Sequence, residues 1–125
     1  MRRVEIGIDC TDPELLAEFW SVALGYAIGD LDPAGVYLDL IPPSAELPVV
    51  YLQRVPEAKA AKNRVHLDLW EDEPLARIEA LEQLGARKIG SPRTGSAGGW
   101  WQVMADPEGN EFCVCRAAEI APDRS

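Results

Sequence analysis

Val4-Glu5-Ile6-Gly7-Ile8 and Val65-His66-Leu67-Asp68-Leu69 read as two copies of one segment, and everything else in the chain arranges itself around that pairing. Each copy leads to an acidic residue and a proline, Asp12-Pro13 and Glu73-Pro74, then to a helical stretch, then to Leu24-Gly25 and Leu84-Gly85. Strand and proline recur at a spacing of 61 positions and the Leu-Gly pair at 60. A fold built twice from one module places equivalent positions around a shared cleft. The equivalent positions that carry chemistry are Glu5 and His66.

The flanking pattern extends both copies. Val4, Ile6 and Ile8 alternate with Glu5, Gly7 and Asp9, the period of a half-buried strand. Asp12 suits an N-cap and Pro13 the first helical position, where its missing N–H costs nothing. Leu16, Phe19, Trp20, Ala23 and Leu24 then recur at helical spacing until Gly25 ends the helix. Strands are predicted over residues 26–29, 36–41 and 49–54, separated by turn-rich pieces. Residues 56–61 connect the halves. The second half repeats the order: a strand over 64–70, a helix over 74–84 with Leu75, Ile78, Leu81 and Leu84 as its apolar stripe, then strands over 86–89, 100–105 and 111–116. Residues 91–99, rich in Gly, Ser and Pro, are predicted to be a flexible loop, and residues 117–125 a loosely held tail.

Each half therefore reads strand, helix, three strands, and neither buries a sheet face and a helix face alone. The predicted fold is α+β: two tandem βαβββ modules, residues 3–56 and 62–116, in one domain over 1–125. Their curved, four-stranded mixed sheets enclose a cavity and carry the helices on the convex faces. Alternation puts Val65, Leu67 and Leu69 under the helix and His66, Asp68 and Trp70 on the opposite face, with Glu5, Gly7, Asp9, Tyr51, Gln53, Cys113 and Cys115 on the corresponding face.

Composition narrows the function classes. The chain has 125 residues, 47% hydrophobic and 26% charged, as in an ordinary globular domain. A net charge of −9 argues against nucleic acid and anionic membrane surfaces, which need clustered Lys and Arg. Cys10, Cys113 and Cys115 are too few for a disulfide framework, and no CxxC pair exists, so reduced thiols in a cytoplasmic protein are expected. Met1-Arg2-Arg3 leads straight into the first strand without the apolar run of a signal peptide.

Asp106-Pro107-Glu108-Gly109-Asn110 before the last strand, Phe19-Trp20 followed by Leu24-Gly25-Tyr26, and the duplication itself resemble the vicinal oxygen chelate superfamily. That group includes glyoxalase I, fosfomycin and bleomycin resistance proteins, and extradiol dioxygenases. Gln53-Arg54-Val55-Pro56 with Lys62-Asn63-Arg64-Val65-His66-Leu67-Asp68 is similar, more narrowly, to its glyoxalase-like domain branch. In metal-using members the first and last strands of each module supply four ligands, commonly His or Gln, then Glu. By position the resemblance implies Glu5, Gln53, His66 and Cys113. Only His66 is of the usual type: Glu5 replaces His or Gln, Gln53 stands where a carboxylate is expected, and Cys113 stands in place of Glu. If a divalent metal is bound, Glu5, His66 and Cys113 are its expected ligands; binding without metal is the alternative. The resemblance also implies a homodimer.

Two functions fit these residues best, beside a third, a subunit or regulatory module with no turnover. One is a glyoxalase-like lyase or isomerase acting on a small carbonyl compound, with Glu5 or His66 moving a proton. The other is a non-catalytic protein of the bleomycin-resistance type that sequesters a small aromatic or cationic compound. Gln53, Asp68, Trp70, Trp101 and Cys113 are the expected ligand-binding residues in either case. Each has a plainer reading: His66 hydrogen-bonded to Glu5 or Asp68, Glu5 paired with an arginine, the tryptophans packed for stability. Asp106–Asn110 is expected to be a turn and nothing more.

Overall fold

A computed structural model describes residues 3–95 and 98–118, and the chain falls into two compact units, Met1–Ala60 and Ala61–Ser125. The first comprises β1 (Glu5–Cys10), α1 (Pro13–Leu24), β2 (Ala27–Leu31), β3 (Tyr37–Ile41) and β4 (Val49–Arg54). Its sheet runs in the order β1-β4-β3-β2, with β1 parallel to β4 and the other pairs antiparallel. The Asp12 carboxylate accepts the Leu15 N–H at 3.1 Å and opens α1, while Gly25 ends it at φ 73, a conformation that only glycine adopts without cost. Leu16, Phe19, Trp20 and Ala23 bury against the sheet face formed by Leu38, Leu40, Val50 and Leu52. Leu24 is only half-buried. Tyr26, predicted to open a strand, instead stays outside β2. Its hydroxyl donates to the Pro48 carbonyl at 2.9 Å and its own carbonyl accepts from the Ser21 hydroxyl at 2.6 Å.

The second unit comprises β5 (Leu67–Trp70), α2 (Pro74–Gln83), β6 (Arg87–Lys88), β7 (Arg93–Thr94), β8 (Trp100–Ala105) and β9 (Glu111–Arg116). The order β5-β9-β8-β6 matches the first unit, and β5 runs parallel to β9 as β1 does to β4. The βαβββ duplication is thus present as topology.

Three expectations are corrected here. The strand predicted over 64–70 begins only at Leu67, and Val65 is 82% exposed instead of lying under the helix. The pairing of β5 starts at Leu67↔Phe112, and in a parallel ladder Val65 would fall opposite the turn before β9, which has no strand edge to offer. The apolar stripe of α2 narrows to Ile78 and Leu81, since Leu75 and Leu84 are 72% and 40% exposed. That helix is ten residues long, Glu73 makes no side-chain cap bond, and Leu84 is already its C-cap. Finally, the second sheet has five strands, because the predicted loop over 91–99 contains β7. Arg93 and Thr94 pair with Trp101 and Trp100, and the Gly95 N–H donates to the Gly99 carbonyl at 2.7 Å. Residues 96–97, and 119–125 of the predicted tail, lie outside the described residues. No helix among the described residues is long and apolar enough to cross a membrane.

The buried side of the second sheet holds Phe112, Val114 and Met104, closed by Ile78 and Leu81 of α2. Gln102, 1% exposed, is tolerated there because its amide N–H groups reach the carbonyls of Ile89, Gly90 and Val103. The turn from β8 to β9 is organised by Asp106, itself 2% exposed. One carboxylate oxygen accepts the N–H groups of Glu108 and Asn110 at 2.8 and 2.9 Å, and the other accepts the Asn110 side-chain amide at 3.0 Å. Asp106→Ala leaves both backbone donors without this acceptor, so a loss of roughly 2–4 kcal/mol in urea denaturation is expected, with Asp106→Asn retaining part of it.

Candidate functional site

Strand alternation and register bring the predicted site residues of the second unit onto one face. Asp68 pairs with Cys113 and Trp70 with Cys115 across β5 and β9; Val103 and Trp101 continue these two rows on β8, and Arg93 extends the second onto β7. Directly opposed residues share a sheet face, so Asp68, Trp70, Trp101, Arg93, Cys113 and Cys115 project together. His66 stands one residue before β5 and joins them: its Nε2 lies 3.1 Å from Asp68 Oδ1. The Cys113 thiol donates a hydrogen bond to the same carboxylate. The donor atoms of His66, Asp68 and Cys113 all lie within 4.8 Å of one another.

The charge distribution keeps the thiols neutral. Burial, then the Asp68 charge and its hydrogen bond, push the Cys113 thiol up, with Lys62 and Arg93 partly opposing. Burial, followed by Asp68 and Cys113, pushes Cys115 from its ordinary 9.0 to about 11. Neither cysteine is a nucleophile at neutral pH, since the thiolate is the reactive form. Imidazole nitrogen, carboxylate oxygen and thiol sulfur are nonetheless a donor set that suits a zinc-type ion, which displaces the thiol proton on binding.

The first unit treats the equivalent positions differently. Gly7 pairs with Tyr51 and Asp9 with Gln53. With the 61-residue spacing, Asp68 corresponds to Gly7, so the counterpart of Cys113 is Tyr51, and Gln53 corresponds to Cys115. A Cβ on Gly7 would lie 2.6 Å from Tyr51 Cζ: the tyrosine ring lies across the glycine. Tyr37 meets Tyr51 edge-to-face with centroids 6.1 Å apart. Glu5 opens β1 and forms an ion pair with Arg3. Gln53 is half-buried on β4, and its backbone carbonyl accepts from the Cys10 thiol at 3.5 Å. Of the expected metal ligands, then, the second unit brings His66 and Cys113 together with Asp68, and Glu5 belongs to the first unit. Asp68 as a third donor follows from the His66-x-Asp68 spacing, which puts both on one side of an extended chain. Arg93 escaped notice because its two-residue strand sits within a Gly- and Pro-rich segment.

Comparison with known proteins fits this fold. Solved structures of similar fold include a glyoxalase/bleomycin resistance protein/dioxygenase family enzyme from Burkholderia phytofirmans PsJN, with TM-score 0.72 and 14% identity over 90% of this chain and 95% of that one. A glyoxalase-related enzyme from Fulvimarina pelagi gives TM-score 0.71 and 19% identity over 100% and 96% of the two chains. A superfamily member from Sphaerobacter thermophilus DSM 20745 gives 0.66 and 19% over 94% and 99%. At these identities the likeness concerns the fold. No curated protein matches the chain. The match to a family model over most of the chain makes it a member of the vicinal oxygen chelate superfamily. Within it, residues 5–115 match the family described as the glyoxalase-like domain, and the chain belongs to that family.

The raised thiol of Cys115 has a thermodynamic consequence. A folded-state value above the unfolded one contributes stability that is complete below about pH 9 and is lost as pH rises towards about 11. Denaturation at pH 8, 9.5 and 11 should show a steeper alkaline decline in the native protein than in Cys115→Ala.

Proposed function

We propose that the open face of the second unit is the small-molecule site of a glyoxalase-like lyase or isomerase that moves a proton on a small carbonyl compound. The observation that carries this reading is the contact of 3.1 Å between His66 Nε2 and Asp68 Oδ1. With Nε2 directed to the carboxylate, the neutral imidazole donates there and keeps its lone pair on Nδ1. That nitrogen is the base. Asp68 fixes the tautomer and stabilises the imidazolium formed when Nδ1 takes a proton from the carbon beside the carbonyl. His66 and Asp68 are both substantially exposed, with 50% and 43% of their side-chain surfaces accessible, so a substrate reaches the base without any opening motion. Trp70 and Trp101, in one cross-strand row, offer apolar surface to the substrate body.

In place of the base role of His66, whose imidazole has one lone pair to give, His66, Asp68 and Cys113 would hold a divalent ion of the zinc type, which supplies Lewis-acid polarisation of a bound oxygen. Gln53 and Glu5 are the ligand-binding and acid–base candidates of the first unit, Glu5 with its carboxylate engaged by Arg3. A homodimer is part of this reading through the family resemblance, and cytoplasmic residence is supported by the three cysteines in their reduced form.

A second reading is favoured by one observation. Trp70 and Trp101 flank the small, neutral Cys115, an arrangement suited to holding a flat aromatic or cationic compound without turnover.

The readings separate in deuterium exchange. Incubated in D2O with a panel of α-hydroxy ketones and α-keto aldehydes, the native protein is expected to accelerate exchange of the proton beside the carbonyl. His66→Gln should reduce this at least a hundredfold, about the size of a general-base contribution, and Asp68→Asn by a smaller factor. Equal exchange rates in His66→Gln and the native protein sink the enzyme reading. Zinc titration with metal analysis tests the ion independently: Cys113→Ala should weaken binding at least tenfold.

A further inference from the structure

His66 carries the proposed chemistry, yet no strand ladder holds it. It precedes β5, and the segment leading to it is open to solvent: Val65 is 82% exposed and the Lys62 side chain 75%. A side chain on such a segment stays within hydrogen-bonding reach of Asp68 only if something else fixes its backbone. The fixing contacts converge on one residue. Glu111, the first residue of β9, has a side chain only 12% exposed. Its Oε1 accepts the Asn63 backbone N–H at 2.6 Å, and its Oε2 takes the Lys62 ammonium at 3.3 Å. The Asn63 side-chain amide then reaches the Glu111 carbonyl at 3.5 Å and the Val65 carbonyl at 3.4 Å, in the peptide unit that joins Val65 to His66.

We propose that Glu111 is the positioning residue of this site: its carboxylate clamps the segment 62–66 onto β9 and so holds His66 against Asp68. The inference rests on the reading of His66 as functional but concerns a different residue and contact. Its logic is geometric. Glu111 and Cys113 are two apart on one strand and face the same way, so the strand that carries the thiol also anchors the loop that carries the imidazole. Asp68 is registered to Cys113 by the β5–β9 ladder, which reaches no further than Leu67. The clamp supplies the missing attachment. The contact that fixes the backbone is the Asn63 N–H on one side-chain oxygen, and the second oxygen adds a charge-assisted bond to Lys62. Supporting contacts behind a metal or acid–base group act by restricting its orientation.

The test uses the single histidine of the chain, whose imidazole gives one unambiguous set of nitrogen and proton NMR signals. Asp68→Asn defines the spectrum of His66 without its partner. Glu111→Ala is expected to move the His66 signals most of the way to that spectrum and to weaken zinc binding at least tenfold, while the amide spectrum stays that of a folded protein. Glu111→Gln, whose amide oxygen still accepts the Asn63 N–H, is expected to restore the native His66 signals and most of the affinity. Native His66 signals in Glu111→Ala overturn the proposal, as does failure of Glu111→Gln to restore them. Should Glu111→Ala not fold, Glu111→Asp decides the matter, since the shorter side chain keeps the charge and withdraws the carboxylate from the Asn63 N–H. Displaced His66 signals support the clamp and unchanged ones overturn it. If the native protein binds no zinc, the metal reading fails, and the NMR comparison still decides the role of Glu111.

Discussion

The parallel pairing of the first and last strand of each module is the constraint on which the structure depends. In a single hairpin two neighbouring strands run in opposite directions; a parallel pair needs a long crossover between its members. Here the helix and the intervening strands provide it, which explains why β1 meets β4 and β5 meets β9 across the whole length of a module. The same pairing sets the chemistry. A shift of one residue in β5 against β9 would turn Asp68 towards the buried side, where Phe112 and Val114 are completely enclosed, and would dissolve the group formed with Cys113. The register is held by the apolar face, so packing on one side of the sheet fixes the polar arrangement on the other.

Duplication supplied two copies of this arrangement, and the copies have parted. Where the second unit has Asp68 beside Cys113, the first has Gly7 beneath the ring of Tyr51. A side chain at position 7 would have to displace that ring; a carboxylate at position 68 finds instead a thiol donor and an imidazole. One copy fills the space with aromatic surface, and the other keeps it for polar groups. Both solutions satisfy the same backbone. Asp68, outside the set implied by resemblance, thereby stands beside His66 and Cys113.

Much of this was legible in the sequence. Alternation in Val4–Ile8 and the Asp12-Pro13 to Leu24-Gly25 punctuation are local signals, and local signals gave β1 and α1 nearly to the residue. The same signals misplaced the start of β5, because the alternation of Val65, Leu67 and Leu69 continues past the point where a partner strand exists. They missed β7 for the opposite reason: two residues are too few for a period, and the pairing of Arg93 with Trp101 depends on a neighbour rather than on composition. The shared face of His66, Asp68, Trp70 and Cys113 followed from alternation. That Asp68 is a partner of His66 required side-chain positions.

Asp68 explains why this face is poised rather than inert. Its carboxylate serves His66 on one side and Cys113 on the other, and its charge reaches Cys115 as well. A single negative group thereby serves two kinds of neighbour. Beside the thiols it disfavours the anionic form, and so suppresses nucleophilic attack by the cysteines. The buried cysteines are thereby kept as a small, neutral floor of this face, and the electrostatics of the strand pair hold them out of covalent chemistry.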